Sequence, residues 1–196
     1  MERFRTLIAP LRVGPIKILD IGGTAEFWQA LPGLYREPDV SITVVNLGSD
    51  DRQDANIRVL DGNACALPFE DNSFDIIHSN SVIEHVGHWH EMVKMAGEVR
   101  RLAPNYFVQT PNIWFPVEPH FKLPFIHWLP EQTRSAIIQA TGRSRKFRDA
   151  GEATLYVQRI SLLSATQLSC LFPEAHIWRE KVAGLTKSLV AERFLR

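Results

Sequence analysis

Short apolar runs alternate with polar or helical stretches through the first half of the chain. Lys17-Ile18-Leu19-Asp20-Ile21 predicts a buried strand that stops at Gly22-Gly23. A short helix is expected from Ala25 to Leu31, ended by Pro32-Gly33. Ser41 to Leu47, rich in β-branched residues, predicts a second strand, and Ile57 to Leu60 a brief third. The turn Glu70-Asp71-Asn72-Ser73 launches a fourth, Phe74 to Ser79. Met92, Met95, Val99 and Leu102 recur at helical spacing and predict a helix over 90–102. Pro104-Asn105 punctuates, and Tyr106 to Gln109 is the fifth strand.

Strands alternating with helices imply parallel pairing through right-handed crossovers, a doubly wound α/β domain. Ligands of such sheets bind outside the carboxyl ends of the strands, so chemistry is expected just after Asp20, Asn46, Leu60, Ser79 and Gln109. Beyond Gln109 the pattern changes. Pro111, Pro116, Pro119, Pro124 and Pro130 stand among aromatics, which excludes one regular helix and suggests a lid or acceptor-side insertion over 110–150. Helices are expected over 132–140 and 164–171, and a closing antiparallel pair over 176–180 and 186–193.

The 196 residues favour one domain, 1–196. A formal net charge of zero supplies no field toward nucleic acid, and no nucleic-acid partner is expected. The basic run Arg143 to Arg148 reads as a solvated loop. Two cysteines, Cys65 and Cys170, without CxxC spacing argue against a disulfide framework or thiolate metal site. No apolar run reaches membrane-span length and no signal core is visible, so a cytoplasmic location is expected.

Asp20-Ile21-Gly22-Gly23-Thr24 forms a strand-to-helix turn without bulk, where backbone can approach a ligand. It lacks GxGxxG, because Thr24 and Phe27 hold the later glycine positions, and this argues against a nicotinamide oxidoreductase. A second constellation is more specific. Asp61-Gly62-Asn63-Ala64 leads to Leu67-Pro68-Phe69, then to the acidic turn and Phe74-Asp75, and later to Ser81-Val82-Ile83-Glu84-His85-Val86. In this order the chain resembles the class I S-adenosylmethionine-dependent methyltransferases, particularly the type 11 group of small-molecule enzymes. The resemblance runs from about Lys17 to Gln109. The stretch from Thr110 to Pro130 resembles one found in an uncharacterised bacterial branch of that group.

The resemblance implies a Rossmann-like, mostly parallel, seven-stranded sheet with an antiparallel C-terminal strand, and S-adenosylmethionine as cofactor. Asp20 and the Gly22-Gly23 backbone, running into Thr24, would border the methionine part. Asn46 would meet the ribose hydroxyls and Leu47 would lie against adenine. Asn63 would bond the adenine amine with Ala64 nearby, and Ser79 and Asn80 would line the floor beside the sulfonium. Two positions depart from the family pattern: Asn46 and Asn63 stand where acidic residues are usual. Both remove negative charge and weaken the hydrogen bonds offered there. A non-catalytic cofactor-binding module with the same fold is therefore the alternative reading.

Methyl transfer needs alignment above all, plus a base when the acceptor is a hydroxyl or activated carbon. His85, just past the fourth strand, is the candidate base, with Glu84 orienting it. Trp114, Glu118 and His120 are expected to line the pocket of a small-molecule or lipid-linked acceptor, and peripheral membrane contact is a further reading of the same aromatics. His85, His88, His90 and His120 invite a metal reading. It is set aside because His88 and His90 flank Trp89 and an i, i+2 pair does not share a helical face, so no metal is expected.

Overall fold

The protein is described by a computed structural model of residues 2–11, 14–31, 33–141 and 149–195, and the basic run Arg143 to Arg148 lies outside these described residues. One large sheet organises them. Its strands are β1 (Ile16–Ile21), β2 (Val40–Asn46), β3 (Arg52–Asp54), β4 (Ile57–Asp61), β5 (Ile76–Asn80), β6 (Asn105–Pro111), β9 (His176–Val182) and β10 (Leu185–Arg193). They lie in the order β3-β4-β2-β1-β5-β6-β10-β9. The five from β4 to β6 in that order are parallel, and β3, β10 and β9 pair antiparallel with their neighbours. Chain order reverses between β1 and β5, the point at which such sheets open a crevice for a ligand.

The sheet has eight strands, not the seven expected. The additional one, β3, is Arg52-Gln53-Asp54, a polar edge strand with no apolar alternation to reveal it. The closing hairpin of β9 and β10 forms where the sequence pattern places it.

The helices divide between the faces. Helix α1 (Glu2–Ile8) and α2 (Ala25–Gln29) bury Phe4, Ile8, Ala25 and Trp28 against Ile18, Ile42 and Val44. Helix α3 (Trp89–Leu102) and α6 (Ala165–Leu171) cover the other face, with Met92, Met95, Val99, Leu168 and Leu171 against Leu19, Ile21, Ile77 and Val108. The 3.6-residue repeat of α3 is what directs one stripe inward. Helix α6 begins with a capping box, Ser164 accepting from the Gln167 N–H and the Gln167 side chain accepting from the Ser164 N–H.

Between β6 and α6 the proline-broken stretch has its own small core. A two-stranded hairpin, β7 (Val117–Glu118) with β8 (Leu123–Pro124), precedes α4 (Glu131–Ala140) and α5 (Ala150–Gln158). Phe121, Ile126, Ile138, Val157 and Ile160 pack together there. No helix among the described residues is long and apolar enough to cross a membrane.

Candidate active site

The loop leaving β1 is shaped by Asp20. Its side chain is fully buried, with Oδ2 accepting from Trp28 Nε1–H at 2.6 Å and Oδ1 bonded to His78 Nδ1 at 2.8 Å. Asp20 is expected to border the methionine part of the cofactor; both of its oxygens already have protein partners, so it shapes the loop from beneath. A Cβ at Gly23 would collide with this carboxylate, and one at Gly22 (φ 77°) would collide with the Val82 side chain. Both glycines are therefore required by close packing, at the place where the β1 loop meets the turn after β5. Thr24 is spent as the N-cap of α2, its Oγ1 accepting from Phe27 N–H at 3.3 Å.

Adjacent strand ends are tied to this loop. Gly22 N–H donates to the Val45 carbonyl at 2.7 Å, and Asn46 Nδ2 reaches the Gly23 carbonyl at 3.4 Å. Asp61 accepts from Gly48 N–H at 2.6 Å, which fixes the turn after β2 to the end of β4. Asn63 closes its own turn by accepting from Cys65 N–H at 2.9 Å, with Ala64 half-buried between them. Ser79 is buried and donates to the Ile21 carbonyl at 3.1 Å, a strand-to-strand tie, not a free donor. Asn80 is exposed. Leu47 is 78% exposed, an apolar side chain held in the open beside the glycine loop. Gly22, Asn46 and Asn63 thus share the carboxyl edge of three neighbouring strands.

Next to this rim, across β5, β6 and β10, lies a cavity of about 1020 Å³ bordered by Arg3, Leu7, Asn80, Ser81, Gln109 and Trp178. Asn80 belongs to both rim and cavity, whereas Gly22, Asn46 and Asn63 do not border it. His78 borders it too, and its Nε2 has no hydrogen-bond partner. Sequence reasoning gave His78 no role; an imidazole inside an apolar strand was the available signal.

The residues expected on the acceptor side divide. Trp114 is 67% exposed and turns toward Trp128, their rings 6.5 Å apart, so it does not border the cavity. Glu118 does not border the cavity either: it is buried, one oxygen bonds His120 Nδ1 at 2.6 Å and the other accepts from Phe121 N–H at 2.6 Å. Nor does Glu84 orient His85. It is fully buried, Oε2 accepts from Thr110 Oγ1–H at 2.9 Å, and Oε1 has no partner. His85 instead sets Nδ1 against the Arg159 carbonyl at 3.4 Å, and its Nε2 lies 3.0 Å from Nε2 of His120. His88 and His90 are drawn off into the start of α3.

Burial pushes the Glu84 carboxyl up to about 7, against the bond from Thr110. Burial and the neighbouring His120 lower the basicity of His85. For His120 burial works downward, but the Glu118 carboxylate outweighs it and raises the imidazole.

This strand order and this glycine-lined edge define the Rossmann-like methyltransferase fold. Residues 19–105 match the family model described as a methyltransferase domain, Methyltransf_11. That segment is similar to class I, type 11-like methyltransferase domains, a class whose cofactor is S-adenosylmethionine. The fold is shared with a SAM-dependent methyltransferase from Methanosarcina mazei, at 16% identity over 93% of this chain and 94% of that one, TM-score 0.50. It is shared with PH0226 protein from Pyrococcus horikoshii, at 17% identity over 97% and 89% of the two chains, TM-score 0.52. Phosphoethanolamine N-methyltransferase 2 of Haemonchus contortus, solved with S-adenosyl-L-methionine, matches at 15% identity and TM-score 0.56 over 91% of this chain, which spans only 38% of that protein. A chain from Galdieria sulphuraria shares 26% identity over 56% of this chain and 44% of its own length, but its TM-score of 0.42 adds nothing to the fold assignment. No protein of curated function matches the sequence.

Proposed function

We propose that this protein transfers the methyl group of S-adenosylmethionine to a small or lipid-linked acceptor by in-line displacement. The observation that carries the proposal is the shared rim: Gly22-Gly23, Asn46-Leu47 and Gly62-Asn63 end three adjacent strands at the switch point, with a large cavity one strand further on. The methionine part of the cofactor fits the glycine loop, whose backbone is bare of side chains. Asn46 offers its amide to the ribose, Leu47 offers a face to adenine, and Asn63 offers a polar edge. Asn80, at the junction of rim and cavity, stands where the sulfonium would meet the acceptor.

In the reaction an acceptor heteroatom or carbanion attacks the methyl carbon. The S–C bond breaks and its electron pair returns to sulfur as the neutral thioether; a protonated heteroatom gives up its proton in the process, whereas a carbanion has given up its proton beforehand. Holding the reactants about 3–3.5 Å apart is the main contribution expected of the protein. His85 Nε2, paired with His120, is the proposed proton acceptor. The segment 110–150 would serve as the acceptor-side lid. The apolar side chains of Phe115, Val117 and Pro119 that it contributes to the cavity wall favour an acceptor with an apolar part.

Incubation with methyl-labelled S-adenosylmethionine and fractionated small-molecule and lipid extracts tests the reading. Label should appear in a discrete acceptor. His85→Ala should reduce that transfer about 100-fold or more and leave S-adenosylhomocysteine affinity within about twofold. Undiminished transfer by the variant removes His85 as the base. Cofactor binding with no transfer to any fraction contradicts the enzymatic reading.

A further inference from the structure

We propose that Glu84, His85 and His120 form a site for one divalent transition-metal ion of the zinc type, with a coordination position left open. Ion binding itself does not depend on the methyl-transfer reading; a bound ion would occupy the His85 Nε2 lone pair, so the base role proposed for His85 belongs to the ion-free protein, and only the ion's use in acceptor activation rests on that reading.

The protonation of the two imidazoles follows from their outer partners. His120 Nδ1 faces a Glu118 carboxylate oxygen and His85 Nδ1 faces the Arg159 carbonyl, and neither oxygen can donate. Each ring therefore carries its hydrogen on Nδ1 and presents a lone pair at Nε2. Those two Nε2 atoms point at one another across 3.0 Å. Two lone pairs at that distance repel unless a positive centre lies between them.

The third ligand argues that this centre is a metal ion more than a shared proton. Oε1 of Glu84 is fully buried and has no partner, while Oε2 is held by Thr110. A buried carboxylate oxygen left unpaired is costly unless something nearby satisfies it. The ligating atoms of Glu84, His85 and His120 all lie within 4.8 Å of one another. Ligands about 2.1 Å from a tetrahedral ion stand about 3.4 Å apart, so small side-chain movements close the set. Two imidazoles and one carboxylate with a fourth position open is a recurrent catalytic zinc arrangement. The Glu118–His120 bond supplies the carboxylate that orients a metal-binding imidazole from behind. The ion would also tie the β7–β8 hairpin to the turn after β5, and its open position would accept water or an acceptor oxygen.

The test is a titration of the full chain, stripped with chelator, with Co²⁺ followed by visible absorption and with Zn²⁺ by calorimetry. Expected are the intense bands of low-symmetry Co²⁺ coordination, a stoichiometry of one, and a Zn²⁺ Kd of micromolar or tighter. Glu84→Gln and His120→Ala should each weaken Zn²⁺ binding about 100-fold or more, and Glu118→Gln about 10- to 100-fold. His90→Ala, exposed on α3, should not change it. S-adenosylhomocysteine affinity of the stripped wild type, measured alongside, separates this site from the cofactor site. Should a variant fail to fold by circular dichroism, the wild-type Co²⁺ spectrum still decides. No Co²⁺ bands and no Zn²⁺ heat overturn the proposal, as does unit-stoichiometry binding that survives both Glu84→Gln and His120→Ala.

Discussion

Asp20 and Leu47 illustrate two opposite ways in which a side chain serves the proposed cofactor rim. Asp20 is enclosed by Trp28 and His78, among the rings of Phe4, Phe27 and Phe107. Removing the buried carboxylate leaves the Trp28 and His78 ring nitrogens without their partner. Asp20→Ala should therefore cost about 2–6 kcal/mol in denaturant unfolding and should also weaken cofactor binding by loosening the glycine loop. Unchanged stability would contradict the buried hub. Leu47 behaves the other way. It touches little in the free protein, so Leu47→Ala should leave the melting temperature unchanged. Loss of about 1–1.5 kcal/mol of apolar burial should weaken S-adenosylhomocysteine binding about tenfold, and equal affinity would remove Leu47 from the adenine face. Asp20 was legible in sequence as a strand-end acid. Its job was not, because His78 lies on another strand and Trp28 on the following helix.

Helix α1 shows what a short element contributes. It is clamped to β10 by Arg3, which donates through Nε to Glu192 at 2.7 Å and pairs with the second carboxylate oxygen as well, while His176 approaches that oxygen at 2.9 Å. Burial alone would raise the Glu192 carboxyl, but the bonds from Arg3 and His176 outweigh it and hold the group below the ordinary 4.5. A depressed carboxyl contributes stability that is present above 4.5 and fades as pH falls through its lower folded value. Thermal melts at pH 7 should therefore show Glu192→Gln less stable than wild type, and the gap should shrink on acidification below pH 4.5. A gap constant across that range would contradict the clamp. Neither α1 nor the polar edge strand β3 announced itself, since 7 and 3 residues are too few to display a period. Strands β1, β2 and β5 and helix α3 were readable because each repeats its apolar positions against a large buried face. The meeting of Glu84 and His85 with His120 was not readable, because it depends on how the β7–β8 hairpin folds back over the strand ends.

Across the molecule the division of labour follows the sheet. Its parallel centre aligns loops that belong to distant parts of the sequence, and the reversal of chain order at β1 and β5 opens the rim between them. The antiparallel hairpin of β9 and β10 extends the sheet beyond β6 and walls the neighbouring cavity with Trp178, Glu180 and Lys187. Alternation along the first half predicted this edge, and the family resemblance carried by Gly62-Asn63-Ala64 and Leu67-Pro68-Phe69 implied its ligand. The cavity was invisible to sequence, since it needs α1, β6 and β10 side by side. The central claim is that the rim of Gly22, Asn46 and Asn63 holds an adenosyl sulfonium, and calorimetric titration with S-adenosylhomocysteine tests it most directly. One saturable site with a Kd in the micromolar range is the predicted result. No saturation at millimolar ligand would contradict it.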